Sequence, residues 1–193
     1  FAAYVANTWN TPVAITVERD GVALPVSSFG KLPSGQGQAI SYTPLVNGML
    51  PPNHVAILFL ARFGGGTACP PGITPAVTSS DAAVHGTGRG HAFHITTSAP
   101  TVAYDIYPYG GGSSAVTSAT LLLPTSAWDT NYVAVDAYPR AAINPGIPFI
   151  EIVAQHDATN VTIRPRAAID GGGGIAPSPA GVPVSYVLDA GEI

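Results

Sequence analysis

Gly90 to Pro139 reads GHAFHITTSAPTVAYDIYPYGGGSSAVTSATLLLPTSAWDTNYVAVDAYP, and the placing of its breakers decides the fold. His91–Thr97 and Thr101–Tyr107 are β-rich runs separated by Ser98-Ala99-Pro100. Gly110-Gly111-Gly112 then interrupts the chain before Ser118–Leu123 and Asn131–Tyr138. Within Thr101–Tyr107, Val102, Tyr104 and Ile106 fall on one face and Ala103, Asp105 and Tyr107 on the other. That is the period of two that a sheet requires, and no helical period competes with it. Pro124-Thr125-Ser126-Ala127-Trp128 predicts a single capped turn that reverses the chain.

Working outward, Phe1–Asn7 and Val13–Arg19 read as strands, and Asp20-Gly21 predicts a tight turn into Val22–Val26, which together make a meander. Ser34 to Gly37 is another turn before a strand over Gln38–Tyr42. Val55–Ala61 is a short apolar run bounded by breakers and reads as a central buried strand. Residues 64–90 carry no periodicity and form a long loop, the kind that is usually functional or mobile. Phe149–Gln155 and Asn160–Arg164 predict a hairpin across His156 to Thr159, followed by a Gly171–Pro179 loop and a strand over Val182–Leu188.

Bulk properties agree with a β-rich, secreted chain. Only 9% of the 193 residues are charged, against about 25% in an average soluble domain. The 22 glycines and 19 prolines supply turns, and 46% hydrophobic content argues against disorder. A single lysine, Lys31, and a net charge of −4 give no footprint for nucleic acid. The apolar run Val55–Ala61 is far shorter than the roughly 20 residues of a membrane helix, so no membrane span is expected. Cys69 is the single cysteine and lies in a loop context; an odd cysteine in a secreted chain has either a partner elsewhere or no role. The chain starts at Phe1 without Met or a signal peptide, so a processed chain or an excised piece is expected.

The chain also repeats itself. Aligning Phe1 with Phe149 pairs Val5 with Val153, Ala6 with Ala154, Thr11 with Thr159, Val13 with Val161 and Ile15 with Ile163. Chance likeness between two β patterns is one explanation. A structural repeat is the other, and it predicts an all-β fold of two related β-sandwich-like lobes. The first lobe would span residues 1–112, including the long loop 64–90, and the second residues 113–193. Each would be incomplete at its chain end, leaving strand edges for something else to cover.

Three ordered motifs, SAPTVAYDIYPYGGGSS at 98–114, LLLPTSAWDTNY at 121–132 and IVAQHDATNVTIRP at 152–165, carry a family resemblance. The chain resembles the amino-terminal domain of the IgG Fc-binding-protein family of secreted mucin-like and bacterial surface proteins, through almost its whole length. The resemblance implies a secreted all-β module used for adhesion or binding. It implies no catalytic residues, since the shared positions are scaffold.

The residues themselves support the same absence of catalysis. His85, His91 and His94 are the most metal-like group, but His91 and His94 fall on opposite faces of one run, so no metal site or cofactor is expected. Gly86 to Gly90 lacks the lysine and helix of a phosphate loop, there is no Gly-x-Ser-x-Gly elbow, and the carboxylates are scattered. Asp105, mid-strand among apolar residues, should hold a structural hydrogen bond. Asn160-Val161-Thr162 fits the glycosylation pattern but lies in a predicted strand. Aromatic residues are the better binding candidates. Trp9, Tyr107 and Tyr109 are assigned to ligand binding, with Asp81 and His85 from the long loop beside them, whereas Tyr104 and Trp128 are read as core.

The sequence therefore predicts a non-enzymatic extracellular or cell-surface module that recognises a glycan or glycoprotein. A structural subunit of a surface fibre, assembled by strand sharing between chains, is the alternative. An accessory domain of an extracellular hydrolase is a third reading, and it needs a catalytic domain elsewhere. Expected partners are that ligand and the strands that cover the lobe edges, from the same polypeptide or adjacent subunits.

Overall fold

The computed structural model describes residues 1–63, 68–110, 117–135 and 148–193. Among these residues twelve strands are formed, all pairing antiparallel, with one helical turn, α1 (Val26–Phe29), and short 3-10 turns. The larger sheet has six strands in the order β10 (Ser118–Leu122), β9 (Val102–Tyr107), β1 (Ala2–Ala6), β7 (Val55–Phe59), β4 (Gly30–Ser34) and β5 (Ser41–Pro44). The second sheet is built on β2 (Val13–Arg19). β8 (Phe93–Thr97) takes one of its edges, and β3 (Val22–Leu24) and β6 (Met49–Leu50) share the other. β11 (Thr159–Ile163) and β12 (Val184–Leu188) form a separate two-stranded sheet.

The core follows from alternation. Ala3 and Val5 of β1, with Ala56 and Leu58 of β7, face Ile15 and Val17 of β2 and Leu50 of β6. Val26 and Phe29 of α1 and Leu45 close the same cluster. Successive residues of a strand point to opposite faces, so Ala2, Ile57 and Phe59 emerge on the outer face, where Tyr4, Tyr42, Cys69, Ile73 and Tyr109 cover them. The two-residue turn at Asp20-Gly21 forms as its sequence predicts, with positive φ at both positions. Gly48 lets β6 come against β2: a Cβ there would sit 2.5 Å from the carbonyl oxygen of Ile15.

Several sequence expectations are corrected. β1 and β2 form no meander, because they belong to opposite sheets. The buried amide of Asn7 turns the corner between them, its Nδ2 donating to the carbonyls of Thr11, Leu50 and Pro51. Val22–Val26 stops at Leu24 because Pro25 and α1 follow. The strand expected over Gln38–Tyr42 is a 3-10 turn followed by β5, and β4 forms although Gly30 and Pro33 break the alternation that marks a strand. Phe149–Gln155 forms no strand. β11 pairs with β12 instead, while Ala154 alone exchanges hydrogen bonds with Gly191 and Glu192. In the run expected over Asn131–Tyr138, residues 131–135 form no strand and the rest lie outside the described residues.

Candidate binding surface

Register shows where the larger sheet is covered and where it is bare. Leu121 lies opposite Tyr104, Tyr104 opposite Tyr4, and Tyr4 opposite Ile57, so the four form one row across the outer face. Ile57 is buried and Tyr4 half-buried, but Tyr104 is 42% and Leu121 49% exposed. On the inner face the row Leu58, Ala3, Asp105, Thr120 passes in the same way from buried to exposed. The β9–β10 flank thus extends past both covering layers. Val102 adds to its exposed outer face and Leu122 to its exposed inner face, and Leu123 is exposed just beyond β10.

Asp105 fixes this flank. Its Oδ1 accepts the Thr120 amide at 2.7 Å, the structural hydrogen bond expected of a mid-strand carboxylate. Tyr104 and Trp128, read from the sequence as core, are both substantially exposed, because no layer lies over the β10 side of the sheet among the described residues. What the sequence lacked was the position of β9 near a sheet edge, which long-range pairing alone decides.

The five residues assigned to ligand binding do not converge. Trp9 is 46% exposed and its indole Nε1 donates to the Pro100 carbonyl at 2.6 Å, which ties it to the start of β9. Tyr107 is exposed at the other end of β9, a strand length of roughly 20 Å away. Tyr109 lies under the outer face, stacked on Tyr4 and edge-on to Phe59, with its hydroxyl 2.7 Å from that of Tyr42. Burial first, and then this hydroxyl contact, push its pKa well above the usual tyrosine value, so it stays neutral. Asp81 and His85 contact each other at 2.8 Å in the loop, apart from the aromatic residues. The hydrogen bond from His85 holds the Asp81 carboxyl below its usual range.

Cys69 borders an open cavity of about 400 Å³, whose lining includes Arg62, Pro71, Ile73 and Thr78. Burial raises its thiol pKa, against the opposing pull of the amino terminus and Arg62, so it is not activated as a nucleophile. His91 Nδ1 lies 3.3 Å from Asp20 Oδ1, and His94 is placed opposite Glu18. Among the described residues no three His, Cys, Asp or Glu side chains gather as a metal site would need. Among the same residues, no helix is long and apolar enough to cross a membrane.

The last quarter of the chain docks on the segment before β8. Gly90 and Ile193 exchange backbone hydrogen bonds, the Ala92 amide donates to Gly191, and Arg89 reaches Glu192 at 2.5 Å. Arg89, and then the Asp189 amide, lower the pKa of Glu192.

By class this is an antiparallel, all-β sandwich with a bare aromatic and aliphatic flank. Residues 118–193 match the family model described as IgGFc binding protein, the family that the motifs resemble. The family is of binding type and typically extracellular. The match starts at Ser118, the first residue of β10, so the family-like segment begins inside the larger sheet, and the first of the three motifs lies before it. No curated protein and no solved structure matches the chain.

Proposed function

We propose that this chain is a non-catalytic, extracellular adhesion or recognition module for a glycan or glycoprotein. Of the two parts expected from the sequence, residues 1–112 and 113–193, the second would supply β10 to the larger sheet of the first. The observation that carries the reading is the row Ile57, Tyr4, Tyr104, Leu121, which runs from covered to bare and leaves Tyr104 presented to solvent on a rigid sheet. Aromatic side chains held this way give large contact area at little entropic cost. Val102 extends the surface and Trp9 borders it at the start of β9, while Tyr107, at the other end of the strand, belongs to the opposite face. Asp81 and His85 form a separate polar contact that this surface does not use.

The family description makes the Fc part of immunoglobulin G the first glycoprotein to test, followed by a glycan array. Saturable binding by the chain is expected, and Tyr104→Ala should weaken it by about 2 kcal/mol, as for an interface hot spot, with an unchanged circular dichroism spectrum. Absence of saturable binding across Fc and a broad glycan panel, or binding unaffected by Tyr104→Ala, overturns the reading. The second reading, a fibre subunit that shares strands head to tail, is favoured by one observation: the outer edge of β10 pairs with no strand among the described residues. Filaments seen by electron microscopy at high concentration would support it.

A further inference from the structure

β10 breaks the usual rules for a strand at the end of a sheet. Exposed edges are normally protected by charge, proline, brevity or a cover. At the opposite end of the same sheet, β5 carries Pro44 and its neighbour β4 carries Pro33. The last strand of the smaller sheet is engaged too, since the Val187 carbonyl of β12 accepts from Arg89. Among the described residues β10 has none of these protections: all five of its residues are exposed, and no charged side chain occurs from Ser118 to Trp128.

We propose that β10 is a self-association edge, where a second copy of this chain pairs its own β10 antiparallel about a twofold axis centred on Thr120. The strand is complementary to itself in that register. Ala119 falls opposite the partner's Leu121 on the outer face, and Ser118 opposite the partner's Leu122 on the inner face, each pairing a small side chain with a large one. Thr120 meets the partner's Thr120 on the axis, where two hydroxyl side chains can hydrogen-bond. The edge has no charge to oppose the approach of an identical strand, and its uncovered apolar residues lie on both faces, as pairing in the plane of the sheet requires. Because the contact is isologous it closes on itself, giving a dimer and no filament. The larger sheet becomes continuous across the axis, and Tyr104 of each copy stays on the outer face, one strand in from the junction. Five paired residues per copy are far fewer than the roughly 20–30 a side of a standard stable interface, so the dimer is weak and concentration-dependent.

Sedimentation of the 193-residue chain over a rising concentration series tests it. The mass should climb from 19.6 kDa to twice that value and stop. Thr120→Lys and Thr120→Glu each place like charges face to face on the axis at an exposed position, and each should raise the dimer Kd at least tenfold. An equimolar mixture of the two variants should restore the dimer, a result that misfolding of either variant cannot produce. A wild-type chain that stays at 19.6 kDa, growth beyond a dimer, either variant dimerising alone as well as wild type, or a mixture that restores nothing would overturn the proposal. Ligand recognition is read separately. Thr120→Lys should keep the affinity of each chain for its ligand, and a dimer that binds no ligand counts against the function alone.

Discussion

Asn7 shows how a single side chain can set the path of the chain. Its neighbours Ala6 and Thr8 fit a continuous strand or a hairpin equally well. The amide decides by donating to three carbonyls, Thr11, Leu50 and Pro51, while its Oδ1 accepts the Trp9 amide. Those groups lie at the corner where β1 leaves one sheet and the chain enters β2 in the other. Asn7→Ala leaves buried carbonyls unsatisfied and should destabilise the fold by about 2–3 kcal/mol, within the range for stranded polar groups. Asn7→Asp should be worse, since it removes the donor and points a carboxylate at three carbonyl oxygens. Urea denaturation of both variants checks the order, and an Asn7→Asp chain as stable as wild type would show that the corner is held by other means.

Among elements, legibility tracked how local the deciding interaction was. Val13–Arg19 and the face assignment of β9 follow from alternation alone, and the Asp20-Gly21 turn from backbone preference; all three match the structure. The run 149–155 has the same pattern as β1 but no continuous partner, and pattern alone cannot supply one. Tyr104 failed for the same reason: period two assigns a face, but only pairing tells whether that face is covered. Asp105 links the levels, since its carboxylate binds the Thr120 amide and so ties β10 to β9. Asp105→Ala should loosen β10 without melting the core. The Thr120 amide should exchange about five- to tenfold faster, equivalent to roughly 1 kcal/mol for a partly exposed charged hydrogen bond. Unchanged exchange at Thr120 would mean that the strand is held by its backbone ladder alone.

At the scale of the whole molecule, stability is unevenly distributed. Every buried apolar residue among those described lies between Ala2 and Leu60, apart from Pro75, Ala154 and Leu188. Residues from 118 onward instead expose Leu121, Leu122, Leu123, Trp128, Tyr132, Val133, Val135, Phe149 and Val187. The segment that matches the family model therefore adds little core of its own and depends on its edges: β10 on β9, and Gly191–Ile193 on Gly90–Ala92. Local opening follows such gradients in buried apolar contact. Amides of β11 and β12 should thus exchange well before those of β1 and β7, which open only on global unfolding. Acid should widen the difference through Glu192. Arg89 and the Asp189 amide lower its pKa in the fold below the ordinary glutamate value of 4.5, so the folded state binds fewer protons than the unfolded chain there. The stabilisation is complete above the unfolded value and fades as pH falls through the folded one. Hydrogen exchange of Gly90, Ala92 and Gly191 at pH 7 and at progressively lower pH should show protection falling below about 4.5. Glu192→Gln should lower protection at pH 7 and remove the part of the acid dependence that Glu192 causes. Equal exchange in both halves at every pH would show that the chain opens as one unit and that the Arg89–Glu192 contact does not secure the docking.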